Sequence, residues 1–334
     1  MAANLTPQYL KAQEAYRRAS TPDEELKWLE VMLREIPKHK ASEKMQVELK
    51  TKISKTRKEA EAIRGRPVKT SSQEVAIPRQ GAGTILIIGG PNAGKSSLLA
   101  ALTRAKPEIA PYPFTTRLPQ PGMMTWEDVT VQLIDTPPVT ADNLPPYLLG
   151  MLRGANLAIL LVDLGSDDGI EECQAALDKF QETKSRLGIE SMLDEEDMGL
   201  SYTQTIVVVN KVDLPEAADR LALLHELCPL DFPEYQISTT TGQGIEELRQ
   251  LIYRALDVIR IYTKQPNKKE PDMDKPYVLP NGGTLLDVAE LVHKDLAENL
   301  KHARIWGTDI IPGSTIKGDY VLHDRDVVEI HANN

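Results

Sequence analysis

The densest chemistry in the chain lies in nine consecutive residues, Gly89-Gly90-Pro91-Asn92-Ala93-Gly94-Lys95-Ser96-Ser97. Gly89 and Gly94 bracket four residues and Lys95-Ser96 follow, which completes the pattern G-x-x-x-x-G-K-[ST]. Backbone N–H groups of such a loop ring a phosphate, and the positive end of the following helix adds to the field. Lys95 is placed to reach the outer phosphates and the Ser96 hydroxyl to ligate Mg²⁺. The apolar run Thr84-Ile85-Leu86-Ile87-Ile88 before the loop reads as a buried strand. Leu98-Leu99-Ala100-Ala101-Leu102 after it opens a helix. A chance glycine turn lacks those flanks.

Two more stretches end apolar runs, where ligands gather in open α/β sheets. Asp135-Thr136-Pro137-Pro138 closes the run 129–135, and an acid there can hold Mg²⁺ through water. Asn210-Lys211-Val212-Asp213 closes the run 204–210. A carboxylate at Asp213 can accept from N1–H and the 2-amino group of guanine. Adenine leaves it unpaired, which disfavours an ATP-using enzyme. Ser238-Thr239-Thr240 follows the last short apolar run and can close over the base. The expected nucleotide site is therefore Gly89, Pro91, Asn92, Ala93, Gly94, Lys95, Ser96, Ser97, Asp135, Asn210, Lys211, Asp213, Ser238, Thr239 and Thr240.

These residues need a scaffold. Apolar runs at 84–90, 129–135, 156–164, 204–210 and about 234–238 alternate with helical patterns at about 94–105, 145–153, 168–187, 215–227 and 243–260. This rhythm predicts an α/β P-loop domain with a mostly parallel sheet covered on both faces, over residues 84–262. Residues 1–66 read as a basic α-helical hairpin, 67–83 as a linker, 263–274 as a second linker, and 275–334 as a small α+β domain. In the last, strands are expected at 277–279, 303–306, 319–322 and 327–330, with a helix from Thr284 onward. Residues 188–203 are acidic and read as an exposed insertion.

Composition narrows the partners. A chain of 334 residues suggests two or three domains. Three Phe and 5% aromatics argue against large stacking surfaces for single-stranded nucleic acid. Two cysteines, far apart and without a signal peptide, suggest reduced thiols in a cytoplasmic protein, and the six histidines show no zinc spacing. No apolar run approaches a membrane span, so no membrane partner is expected. The net charge of −10 hides an asymmetry. Residues 1–80 carry 17 Lys+Arg against 11 Asp+Glu, and the rest carry 22 against 38. The basic head is either a solvated helix face or a contact for RNA phosphates.

Taken together, the phosphate loop, Asp135-Thr136-Pro137, Asn210-Lys211-Val212-Asp213 and Ser238 resemble the motifs of translation-factor-related GTPases over residues 84–260. The resemblance implies GTP, GDP and Mg²⁺ as ligands. Tyr112-Pro113-Phe114-Thr115-Thr116 is similar to the first switch of Obg-related GTPases, which implies Thr116, or failing it Thr115, as a Mg²⁺ ligand beside Ser96 and Asp135. Ile305-Trp306-Gly307-Thr308 and Asp324-Arg325-Asp326-Val327-Val328 resemble a TGS domain, a β-grasp module. Pro37-Lys38-His39-Lys40-Ala41-Ser42-Glu43 is similar to the start of the developmentally regulated GTP-binding (DRG) proteins. The resemblance implies a ribosome-associated, translation-related role; an accessory protein is a further partner to expect.

The chain departs from that pattern. The second-switch Gly is Pro138, which has no N–H for the γ-phosphate. Val139 stands where many small GTPases carry a Gln that orients the attacking water. The 75 residues from Asp135 to Asn210 leave no room for the long DRG insertion. Asn92 offers a replacement for the Gln: its amide oxygen can hold K⁺ between the phosphates, as in related GTPases with Asn there. The alternative is that Asn92 only shapes the turn. The expected catalytic set is Lys95, Thr116 and Asn92. The function expected is a slow GTPase switch bound to a ribosome or other RNA–protein partner. Its rival is a nucleotide-dependent binding module with little hydrolysis.

Overall fold

The structure is a computed structural model that describes residues 6–19, 22–37, 42–64, 77–103, 118–194, 197, 199–266, 268, 270–308 and 310–332. Thr115, Thr116 and the rest of Tyr112–Thr116 lie outside the described residues, as do 67–76 of the first linker and 38–41 of the DRG-like stretch.

Among the described residues the head has three helices, not the two of a hairpin: α1 (Pro7–Arg17), α2 (Pro22–Glu35) and α3 (Glu43–Arg64). Thr6 caps α1, its side chain accepting from the Tyr9 N–H at 3.1 Å, and Pro7 occupies the first helical position. The apolar residues on α1, Tyr9, Ala12 and Tyr16, meet Leu29, Met32 and Leu49 of α2 and α3 in one buried cluster. That cluster extends into the next domain through Leu193. The segment expected to be an exposed insertion is exposed at Ile189, Glu190, Met192 and Asp197, but its Leu193 is buried against the head.

The central domain runs β1 (Thr84–Gly89), α4 (Lys95–Thr103), β2 (Gln120–Trp126), β3 (Val129–Asp135), α5 (Pro146–Gly154), β4 (Leu157–Asp163) and α6 (Asp168–Gln181). It continues with β5 (Ser185–Gly188), β6 (Met192–Leu193), β7 (Ser201–Asn210), α7 (Ala217–Leu227), β8 (Glu234–Gln236) and α8 (Ile245–Ala255). The sheet order is β2-β3-β1-β4-β7, with β8 beside the end of β7 and β5 and β6 beside its start. The β3-β1-β4-β7-β8 ladder is parallel throughout, and β2 joins it antiparallel at the edge. Pro121 and Gly122 obscured β2 in the sequence, and an edge is where a strand tolerates them.

The core has two halves because strand side chains alternate. Leu86 and Ile88 face a layer built from α5, α6 and α7, whereas Ile85 and Ile87 face α4 and α8. Burial on both faces is why β1 reads as an unbroken apolar run.

The C-terminal domain begins earlier than the sequence suggested. Its strands are β9 (Val258–Thr263), β10 (Asp272–Pro280), β11 (Leu300–Trp306), β12 (Ser314–Ile316) and β13 (Val327–Ala332), with helices α9 (Leu285–Val292) and α10 (Lys294–Glu298). The sheet order is β10-β9-β13-β11-β12. Ile252, Leu256 and Ile259 kept a helical spacing that carried the expected helix to residue 260. Asp257, with φ 47°, ends it, and β9 pairs with β10 and β13. The C-terminal domain thus starts near Val258, and β10 takes the last residues of the expected linker. Residues 319–322 form no strand; Val321 makes one bridge to Thr284.

The two sheets are joined at the β2–β3 turn. Arg260 of β9, almost fully buried, binds Asp324 at 2.7 Å, Asp128 at 3.0 Å and Glu127. Arg325 also reaches Glu127, at 2.8 Å, and the Tyr262 hydroxyl donates to Asp128.

Candidate functional site

The phosphate loop occupies the turn from β1 into α4, at the carboxyl edge of the parallel sheet. Its glycines answer steric demands. Gly89 (φ 152°) lies so close to Leu161 of β4 that a Cβ would overlap the Leu161 carbonyl oxygen. Gly94 (φ 95°) lies against Asn210, and a Cβ there would overlap Nδ2. Asn92 takes φ 54° at the exposed tip, and its amide makes no hydrogen bond to the described residues. The Lys95 ammonium, mostly buried, donates to the carbonyls of Gly90 at 2.6 Å and Gly89 at 3.2 Å. Burial lowers its pKa, and the carboxylates of Asp135 and Glu172 pull it back up.

Asp135 is the last residue of β3, in register with Ile87 of β1, which brings it beside the loop. The Ser96 hydroxyl donates to its Oδ2 at 2.5 Å. Its other oxygen, Oδ1, is buried and has no hydrogen-bond partner among the described residues. Burial raises the Asp135 pKa, against the opposing pull of the Ser96 hydrogen bond and the Lys95 charge. A buried carboxylate oxygen without a partner is a costly feature. An oxygen-loving divalent cation removes that cost, so the donors present suit Mg²⁺. Ser96 and Asp135 would hold it, and its chemistry there would be to neutralise phosphate charge.

The base-side residues converge on the same edge. Asn210, fully buried at the end of β7, donates from Nδ2 to the Ala93 carbonyl at 3.0 Å and accepts at Oδ1 from the Thr239 N–H at 3.2 Å. One side chain therefore ties the phosphate loop to the Ser238-Thr239-Thr240 loop. Ser238 is buried and its hydroxyl accepts from the Thr241 N–H at 3.0 Å, fixing that turn. Lys211 takes φ 68°, and its ammonium binds Asp163 at 2.6 Å. Asp213 is exposed and can receive two donors of a base. The site residues among the described ones thus come from four separate parts of the chain, and Ser97 faces solvent one residue beyond Ser96.

Two residues not singled out from the sequence belong to this neighbourhood. Asp163, at the end of β4, holds Lys211 and also accepts from the Gly165 N–H at 2.6 Å. Its position at a strand end was the available signal. Glu172 of α6 packs against Gly90, where a Cβ would meet its side chain. Burial raises its pKa, with Asp163 and Asp168 adding to the effect. No local pattern marks Glu172, because only the packing of α6 brings it there.

Val139 is fully buried in the core beneath the sheet, and its N–H donates to the Gly89 carbonyl at 3.1 Å. The neighbouring Pro138 is half-buried.

Residues 84–211 match the family model described as 50S ribosome-binding GTPase, and residues 259–332 match the TGS domain. The chain is 29% identical to an uncharacterized GTP-binding protein of Methanocaldococcus jannaschii, with 92% of each chain covered. That alignment runs over 364 positions, more than the 334 residues of this chain, so the relative carries residues that this chain lacks. Developmentally-regulated G-protein 2 of Arabidopsis thaliana is 24% identical, over 92% of this chain and 90% of its own. Ribosome-interacting GTPase 1 of Saccharomyces cerevisiae is also 24% identical, over 93% and 99%.

Proposed function

Because the chain is an Obg-related, DRG-like GTPase with a C-terminal TGS domain, we propose that it is a slow GTP-hydrolysing switch. It acts in the cytoplasm and signals its nucleotide state to a ribosome or another RNA–protein particle. Asp213 selects guanine, and the Asn210 bridge sets the distance between base and phosphate loops. Lys95, drawn off the Gly89 and Gly90 carbonyls, and the loop N–H groups stabilise charge on the β- and γ-phosphates. Water attacks the γ-phosphate directly.

The observation that carries the slow rate is the placement of Val139. Its side chain is in the core, and an apolar group has nothing with which to orient water. Asn92, exposed at the tip of the loop, is the candidate to substitute by holding K⁺ against the phosphates. Single-turnover GTP hydrolysis, measured in K⁺ and in Na⁺ with and without ribosomes, tests both parts. Slow hydrolysis faster in K⁺ and further accelerated by ribosomes is expected. Equal rates in the two cations remove the K⁺ role, and no turnover under any condition leaves a nucleotide-dependent binding module.

The ribosome reading rests on the name of the yeast relative, on the description of the family model, and on the head. Lys44, Lys50, Lys55 and Lys58 of α3 are exposed. If they meet phosphates, replacing Lys50, Lys55 and Lys58 with Ala flattens the salt dependence of ribosome co-sedimentation by about two to three units of log–log slope. An unchanged slope returns that face to solvent.

A further inference from the structure

Where α1, α2 and the segment before β1 meet, a cavity of about 360 Å³ is lined by Lys11, Glu14, Arg18, Glu24, Trp28 and Arg79, with Ala15 and Ala19 beneath. None of the nucleotide-site residues borders it. Its size falls in the range of small-ligand sites, about 300–1,000 Å³.

The charge around the cavity is unbalanced. Three cations line it against two carboxylates; Lys11 is itself paired with Asp287 at 3.2 Å, and Glu14 is shared. Arg17 binds it at 2.8 and 3.0 Å and Arg18 at 2.7 Å. Arg17, only 2% exposed, does not line the cavity, and Arg18 Nε is buried; the donors an occupant can reach are on the exposed parts of Arg18, whose side chain is 34% exposed, and on Arg79, which is exposed. Arg79 is held in place by a 2.7 Å hydrogen bond to the Arg18 carbonyl and by contact with Gly154 at the end of α5. Two guanidinium groups, those of Arg18 and Arg79, thus line one cavity, an arrangement that suits a phosphate. The Trp28 indole, with the Lys27 ammonium 5.0 Å over its ring, lines the same cavity and offers an aromatic surface that suits a nucleobase.

We propose that this cavity is a second ligand site, separate from the GTP site, for a nucleoside phosphate unit: phosphate on Arg18 and Arg79, base against Trp28. The unit can belong to an RNA strand or to a free nucleotide. The position gives binding a consequence. Arg79 abuts α5, the helix that follows Asp135 and Pro138, and Lys11 at the rim binds Asp287 of α9 at 3.2 Å. An occupant therefore touches the head beside contacts with both other domains. The inference stands without the ribosome reading.

The test is calorimetric titration of the full chain, first saturated with GDP and Mg²⁺. The probes are uridine 5′-monophosphate, a 5′-phosphorylated oligouridylate, uridine and inorganic phosphate. The uracil base cannot satisfy the guanine site. One saturable site per chain for the monophosphate or the oligonucleotide, with uridine and phosphate each at least about tenfold weaker, supports the proposal. Binding by both assigns a free nucleotide as a sufficient ligand, and binding by the oligonucleotide alone assigns RNA. Arg79→Ala, at an exposed side chain, is expected to weaken binding about tenfold with an unchanged thermal melt. Trp28→Leu should weaken the monophosphate but not inorganic phosphate. No saturable binding, phosphate binding as tightly as the monophosphate, or binding indifferent to both substitutions overturns it.

Discussion

The Asn210 side chain and the missing side chain at Gly94 occupy one small volume, and their replacement should be strongly non-additive. Asn210→Ala strips a partner from the Ala93 carbonyl and another from the Thr239 N–H, bonds of 3.0 and 3.2 Å made by a fully buried residue. Leaving two such groups unpaired costs about 1–3 kcal/mol each. Water can reach these loops from the open site, so about 2–4 kcal/mol for the pair is a fair expectation. If the loss falls on the nucleotide complex, GDP affinity drops about 30- to 1,000-fold. Gly94→Ala brings two penalties: the φ of 95°, worth about 1–2 kcal/mol for an L-residue, and overlap of the new Cβ with Asn210 Nδ2. In the double variant the overlapped atom is gone and only the backbone strain remains from Gly94→Ala. The combined loss should then fall short of the sum of the single losses by at least about 1 kcal/mol. Binding of a fluorescent GDP analogue, with the thermal melt of nucleotide-free protein as the stability reference, measures all four corners of the cycle. Losses that add to within about 0.5 kcal/mol would refute this account of why glycine is required there, and so would an Asn210→Ala protein with native affinity and melt.

Other consequences can be measured directly. Ser96→Ala removes the hydroxyl that faces Asp135, so the Mg²⁺ concentration needed for GTP binding should rise about tenfold or more, while the melt without Mg²⁺ changes little; an unchanged Mg²⁺ requirement contradicts the metal assignment. Arg260→Met removes the group that gathers Glu127, Asp128 and Asp324. Those carboxylates are partly solvated, so the expected loss is about 2 kcal/mol, with faster proteolysis near residue 257 as the second readout. Hydrogen bonds from Arg260 and then Arg325 hold the Glu127 carboxyl below its ordinary value of 4.5. A depressed folded value means that this contribution is present above pH 4.5 and fades as pH falls through the lower value, so proteolysis at that junction should speed up on acidification and Glu127→Gln should blunt the effect. Leu193→Asp puts a carboxylate into the buried cluster that seats the head, and accelerated cleavage of residues 1–66 should follow without loss of GDP binding.

What the sequence determined by itself was whatever depends on neighbours along the chain. The phosphate loop is a local signal, because glycine at fixed spacing between a strand and a helix is a backbone requirement written in residue types. The buried parallel strands were equally legible, since burial on both faces leaves no polar alternation to misread, and the ends of two of them, at Asp135 and Asn210, could be read from where the apolar runs stop. Boundaries set by contact were not legible. The α8 to β9 junction kept its apolar spacing through a change of structure, and only pairing with β10 and β13 moved Val258–Thr263 into the second sheet. Leu193 read as part of an acidic loop until the head covered it. The same limit holds at the nucleotide site. The sequence supplied Asn210 as a motif residue, but only the packed sheet shows its two bonds spanning residues 117 and 29 positions apart, and only α6 packing brings Glu172 to Gly90. Spacing along a chain encodes what one element can do; which atoms face each other across elements is decided by burial, and burial exists only in the folded molecule.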